Sequence, residues 1–305
     1  MEPLGPPRIW AWLLALAGFL AGYCYLTAGE LSGEALKFSK TTAFDLWSAL
    51  AGVQTALWTV VGPIAVASFA QVWRLQGPRK PWSAVLSYVL LAAGLWLIPL
   101  LLTPDGQPIE PFSSRVEVLT LLGLVVASPG VIGMWSILSV LKNVGIRVKE
   151  SAGDNWSSVH SLAVQDLVEV RGALQRLLAI LGGIIAAAAL TTAAFRNSVL
   201  ALAKITNKPL DFPFEWVVGY GLFFTLMLAL VYGPVYNSLE RCGQQLLETR
   251  FPVPTDSDPS ADWYSGRERL AGLLQLGVRP GESFKAGVSI LAPLTASLLA
   301  VLLPS

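Results

Sequence analysis

The sequence predicts an all-α, polytopic transmembrane helix bundle, six spans followed by a C-terminal apolar segment. Three observations carry that reading. Charged residues make up 13% of the chain against 54% hydrophobic ones, and a soluble domain ordinarily carries roughly 25% charged residues. The apolar residues come in long blocks, and six blocks reach the roughly 20 residues a helix needs to cross about 30 Å of hydrocarbon. The remaining charges fall mainly between the blocks and lean to one side of the membrane.

The blocks are residues 9–27, 47–73, 82–102, 116–141, 177–195 and 216–237. The first reads as an uncleaved span. Its flank holds one Arg and one Glu, no clean A-x-A site follows, and Tyr23 interrupts the lipobox-like Leu20-Ala21-Gly22 before Cys24. Between spans one and two, Leu31, Ala35 and Phe38 suit a short surface helix. Residues 74–81 form a tight turn with two prolines, 103–114 and 196–215 are loops on the opposite side, and 142–176 is a loop that begins irregular and becomes helical. The domain reading is a bundle over 1–250 with an extended hairpin (155–176 and 238–250), a linker with a short helix over 251–283, and a membrane-associated segment over 284–305. Pro259 is placed to open the linker helix, expected over 260–276. Residues 284–303 are long enough for a seventh span, and a re-entrant hairpin fits Pro293 at their middle equally well; a surface-lying helix is the remaining alternative, against which Leu298, Leu299, Val301, Leu302 and Leu303 leave no polar face.

Orientation follows from Lys and Arg beside the spans. With the N-terminus in the cytoplasm, that side collects Arg8, Arg74, Arg79, Lys80, Lys142, Arg147, Lys149, Arg171, Arg176, Arg241 and Arg250. The other side has Lys37, Lys40, Arg115, Arg196, Lys204 and Lys208, so the balance is 11 to 6. Trp10, Trp12, Trp73 and Trp82 fall at the inner interface, Trp47 and Trp216 at the outer one. The expected location is the plasma (inner) membrane.

Most reactive chemistries have no foothold. His160 is the only histidine, which excludes metal sites built on two or more His; it reads as a lone exposed side chain, although Asp154, Asp166 or Glu169 would be the partners of an acid–base pair. No H-E-x-x-H, G-x-S-x-G, P-loop or dinucleotide fingerprint is present. Cys24 and Cys242 fall on opposite sides and cannot pair. Net charge is +1, which gives no pull toward nucleic acid. No span carries a charge at its centre, arguing against proton relays, voltage sensors and ion-coupled transport. The expectation is a non-enzyme without metal or cofactor, with the lipid bilayer as its constant partner. A lipid-modifying enzyme is a distant alternative.

Two features carry the functional expectations. Ala163, Leu167, Val170, Leu174, Leu177 and Leu181 recur at 4-3-4-3-4 spacing, a heptad-type seam running into span five. Leu239, Cys242, Leu246 and Thr249 form a shorter stripe after span six. Facing each other, the two stripes leave Ala163 and Leu167 unmatched, an expected docking surface for a second copy or a cytoplasmic protein; the plainer reading is that each stripe simply buries the other. This leads to a scaffold, signalling or effector subunit that acts by assembly. The second feature is a set of candidate kinks and cavity-lining groups: Gln54, Thr59, Pro63, Pro129 and Pro234. These would serve the alternative, a passive channel or carrier for a neutral or apolar solute. Pro99 lies within span three, and Thr55, Ser68, Ser128, Thr191 and Thr192 add uncharged polarity that suits hydrogen bonds between helices. Gly62-Pro63, Pro129-Gly130 and Gly233-Pro234 hint at a threefold hairpin repeat.

Overall fold

The computed structural model describes residues 7–29, 33–76, 82–102, 112–150, 156–207, 213–253, 259–276 and 280–301. Among them are nine helices and no strand. The chain is an all-α bundle of membrane type, and it is membrane-embedded. Five helices are each long and apolar enough to cross a bilayer: α1 (Pro7–Thr27), α3 (Thr42–Leu75), α5 (Phe112–Glu150), α6 (Trp156–Thr206) and α7 (Phe214–Arg250). Beside them pack α4 (Trp82–Leu102) and α9 (Pro280–Val301), of 21 and 22 residues. The short helices α2 (Gly33–Ser39) and α8 (Ala261–Leu273) complete the set. We call the end where α1 begins the near end and the opposite one the far end.

Small residues set the closest approaches, as expected where lipid supplies no hydrophobic drive between helices. Gly18 and Gly22, four apart on α1, face α3; a Cβ on Gly22 would stand 2.1 Å from Thr55 Oγ1. The gap admits hydrogen bonds across it: Thr55 Oγ1 donates to Gly18 O at 2.7 Å, and Thr59 Oγ1 to Leu14 O at 3.0 Å. α6 is the central element, lying antiparallel to α3, with Ser198 Oγ donating to Ala43 O at 2.7 Å.

The far end closes on aromatic residues. Phe38 of α2, Phe44 and Trp47 of α3, and Phe112 of α5 meet edge to face, and the Phe195 ring of α6 lies tilted against Trp47 with centroids 4.9 Å apart. Ala35 and Phe38 are buried, so α2 lies over the bundle as its apolar face requires. Arg115 donates to Leu26 O and to Ala28 O, the latter at 2.6 Å, and so caps the carbonyls that α1 leaves open at its C-terminus.

Two expectations need correction. The segment 142–150 is no loop: α5 runs unbroken to Glu150. Leu141, Val144 and Val148 continue its apolar stripe at helical spacing while Lys142 and Arg147 mark only the other face. The C-terminal segment is neither re-entrant nor surface-lying; α9 is one helix through Pro293, seated against α6 and α7. Pro293 removes one backbone bond, yet the helix is continuous through it, with close neighbours on either side. A Cβ on Gly182 would sit 2.5 Å from Ser289 O, and one on Gly221 would sit 2.1 Å from Ser297 Oγ and 2.8 Å from Pro293 O. Ser297 is fully buried there and donates to Pro293 O at 2.9 Å. The tail helix begins one residue later than Pro259 suggests, with Ser260 as N-cap accepting from Trp263 N.

Candidate functional site

Helix length decides where the extramembrane structure lies. At about 1.5 Å per residue the 51 residues of α6 extend about 77 Å, and the 39 and 37 residues of α5 and α7 about 58 and 56 Å. Hydrocarbon takes up only about 30 Å. At the near end the three helices therefore continue past the apolar zone and form a head whose core is continuous with that of the bundle. Ala163, Leu167, Val170 and Leu174 all lie in that core, none more than 3% exposed. Val140, Leu141, Val144 and Val148 of α5 cover them from one side, Leu239, Cys242 and Leu246 of α7 from the other. The expected bare patch at Ala163 and Leu167 is absent, because the α5 extension read as loop supplies their mate. Thr249 is exposed and stands outside the α7 stripe.

Polar groups rim this core. Arg147 pairs with Asp166 at 2.6 Å. Gln71 Nε2 donates to Glu169 at 2.6 Å, and Arg176 donates to Gln71 Oε1 at 2.7 Å, joining α3 to α6. Arg171 is buried; it donates to Leu274 O and stands 3.4 Å from Glu240. One guanidinium thus ties α6, α7 and the segment after α8 together. The tail is strapped down further by Trp263 Nε1 donating to Pro252 O and Arg267 donating to Phe251 O, both at 3.0 Å. Leu276 fills the space over Gly243. On the outer surface of the head Leu162, Val168 and Tyr264 remain exposed.

The candidate kinks and cavity-lining groups do not converge. Pro63 and Pro234 are exposed on the outer surface of the bundle, and Pro129 is half-buried. The carbonyl of Val125 that Pro129 leaves without its helical N–H accepts from Ser128 Oγ at 2.7 Å. Thr59 is engaged with α1. Gln54 is buried in α3, and its Oε1 has no hydrogen-bond partner; Trp58 Nε1, one turn along, has none either. Ser68 is buried, and Thr191 and Thr192 bond back to Ala187 O and Ala188 O. The side chains of Pro99 and His160 fall outside the described residues, as do Leu31 and Asp154.

Sequence reasoning passed over several residues that the structure uses. Gly18-x-x-x-Gly22 is a legible packing motif. Ser136 and Asn143 lie in or beside span four; Gln76 Nε2 donates to Ser136 O at 2.8 Å, and Asn143 Nδ2 approaches Gln76 O at 3.4 Å. Gln76 caps α3 at the near end, and its polarity beside an apolar block was the available signal.

A cleft of about 610 Å³ lies between α4 and α5, bounded by Tyr88, Ala92, Ala93, Leu121, Val125 and Ser128. None of the five candidate kink and cavity residues touches it. Among the described residues no group of three or more His, Cys, Asp or Glu side chains converges. No protein-family model matches the chain, and no solved structure matches it.

Proposed function

We propose that this is a non-enzymatic, multi-pass protein of the plasma (inner) membrane that acts by assembly, with its near-end head in the cytoplasm as the docking element. The observation that carries the reading is the head itself: three membrane helices continue without a break into a packed, polar-rimmed body. A partner bound there is coupled to the membrane through continuous helices rather than a loose linker. The excess of Lys and Arg at that end supports the cytoplasmic assignment. Because the seam is already covered, docking falls to the outer face, where Leu162 and Val168 stand on α6. The partner is a second copy or a cytoplasmic protein of a scaffold or signalling assembly.

The test compares two kinds of variant in native membranes. Leu162→Asp with Val168→Asp alters only exposed positions, so the fold is retained, and chemical crosslinking of the head is expected to fall. Leu167→Asp places an unpaired charge in the head core and is expected to cost several kcal/mol of stability. Unchanged crosslinking in the double variant, with passage of a neutral solute through reconstituted protein, would replace the assembly reading with the channel or carrier.

A further inference from the structure

The cleft between α4 and α5 has a chemistry that selects its occupant. It lies at hydrocarbon depth: Leu121–Ser128 falls inside the long apolar stretch of α5, and Tyr88–Ala93 sits near the middle of α4. Its walls are apolar side chains, and the two hydroxyls among them are already engaged. Tyr88 donates to Leu124 O, the bond that pins α4 to α5. Ser128 donates to Val125 O at 2.7 Å. Water holds a buried site only where about two to four polar partners meet it, and a polar solute needs the same. This cleft offers neither of them a free group.

Its size and form narrow the choice further. A volume of about 610 Å³ lies within the ~300–1,000 Å³ usual for ligand sites. The opening faces the bilayer, since Val89 and Val125 on its lips are 54% and 66% exposed. The concavity arises because α4 presents Ala92 and Ala93 where its flanking positions carry Val89, Leu90 and Leu91. A single flexible hydrocarbon chain fits that gap.

The geometry points to a lipid site: an acyl chain of a bilayer phospholipid lies held between α4 and α5, over Ala92 and Ala93. The headgroup stays at the interface, and the held chain supplies the packing that α4 lacks on that side.

The test uses the full chain reconstituted in phosphatidylcholine vesicles containing phosphatidylcholine with a mid-chain nitroxide. Ala93 and Leu86 are both exposed positions of α4, but only Ala93 lines the cleft. Electron paramagnetic resonance of the wild type is expected to show a motionally restricted lipid component. Ala93→Trp, filling the cleft, is expected to reduce it, and Leu86→Trp to leave it unchanged. Equal restricted fractions in all three proteins would overturn the proposal, because the restricted lipid would then be ordinary boundary lipid. Displacement of the restricted lipid by free hexadecane, with no rebinding on excess phosphatidylcholine, would assign the cleft to a free hydrocarbon instead. Disulfide-linked dimers from Ala93→Cys, in a background without Cys24 and Cys242, would assign it to a second copy and overturn the proposal equally.

Discussion

Gly182→Val tests whether α9 is seated as described, and its effect follows from one distance. The added Cβ would lie 2.5 Å from Ser289 O and 3.2 Å from its carbonyl carbon, where nonbonded heavy atoms settle at about 3.5–4.0 Å. Backbone cannot swing aside as a side-chain tip does, so α9 must withdraw by about 1 Å, enough to forfeit a quarter to a half of the dispersion energy at that contact. Overpacking of this kind costs about 1–3 kcal/mol. Gly183 is the natural control, because a Cβ there meets nothing within 4 Å. Unfolding by SDS titration in mixed micelles should place Gly182→Val below Gly183→Val by about that amount. A second readout follows the displacement directly. A thiol at Ser297→Cys, with the native cysteines replaced, should be protected in the parent and in Gly183→Val and become reactive in Gly182→Val. Equal stability and equal protection in the two glycine variants would mean that α9 does not occupy the groove between α6 and α7.

Three further outcomes are expected. Arg171→Met removes the donor to Leu274 O and the partner of Glu240, and should cost about 1–3 kcal/mol, with proteolysis of the segment after α8 increasing before the bundle unfolds. Cys242, buried in the head with its sulfur 3.8 Å from Leu141 O, should resist maleimide until the protein is denatured. For orientation, single cysteines at Ser157 and Ser257 should react with impermeant reagents only after the membrane is opened, whereas one at Ser113 should react in intact cells. Labelling of the Ser257 site from outside would reverse the assignment of the head.

The helical, membrane-embedded class was legible because hydrocarbon imposes a length and a composition that few soluble sequences meet. What stayed illegible depended on faces rather than averages. Lys142, Asn143 and Arg147 read as the start of a loop, yet they share turns with Leu141, Val144 and Val148, and only the three-dimensional neighbour shows that the apolar side has an α6 seam to cover. Pro293 left a continuous span and a broken, re-entrant hairpin equally open, because proline removes a backbone bond. The compensation, Gly182 and Gly221 offering flat surfaces to α9, lies 111 and 72 residues away in the chain (293 − 182 and 293 − 221). Arg171 counted only as one positive charge beside a span, and nothing in its neighbourhood announces a carbonyl partner at Leu274. Ala163 and Leu167 were correctly placed on an apolar seam, but which element would cover them was set by the true end of α5.

The groove that receives α9 also has a consequence for synthesis. Gly182 and Ser289 are separated by 107 residues (289 − 182). At about 5–20 residues per second of translation, Gly182 is made roughly 5–20 s before Ser289 exists. During that interval the glycine face of α6, and that of α7 once it is made, stand open to whatever surrounds the nascent chain. Of the three helices that meet at this groove, α9 is made after the other two. Mutations that enlarge either glycine should then strand partly built chains as well as weaken finished ones, and such chains are substrates for membrane quality control.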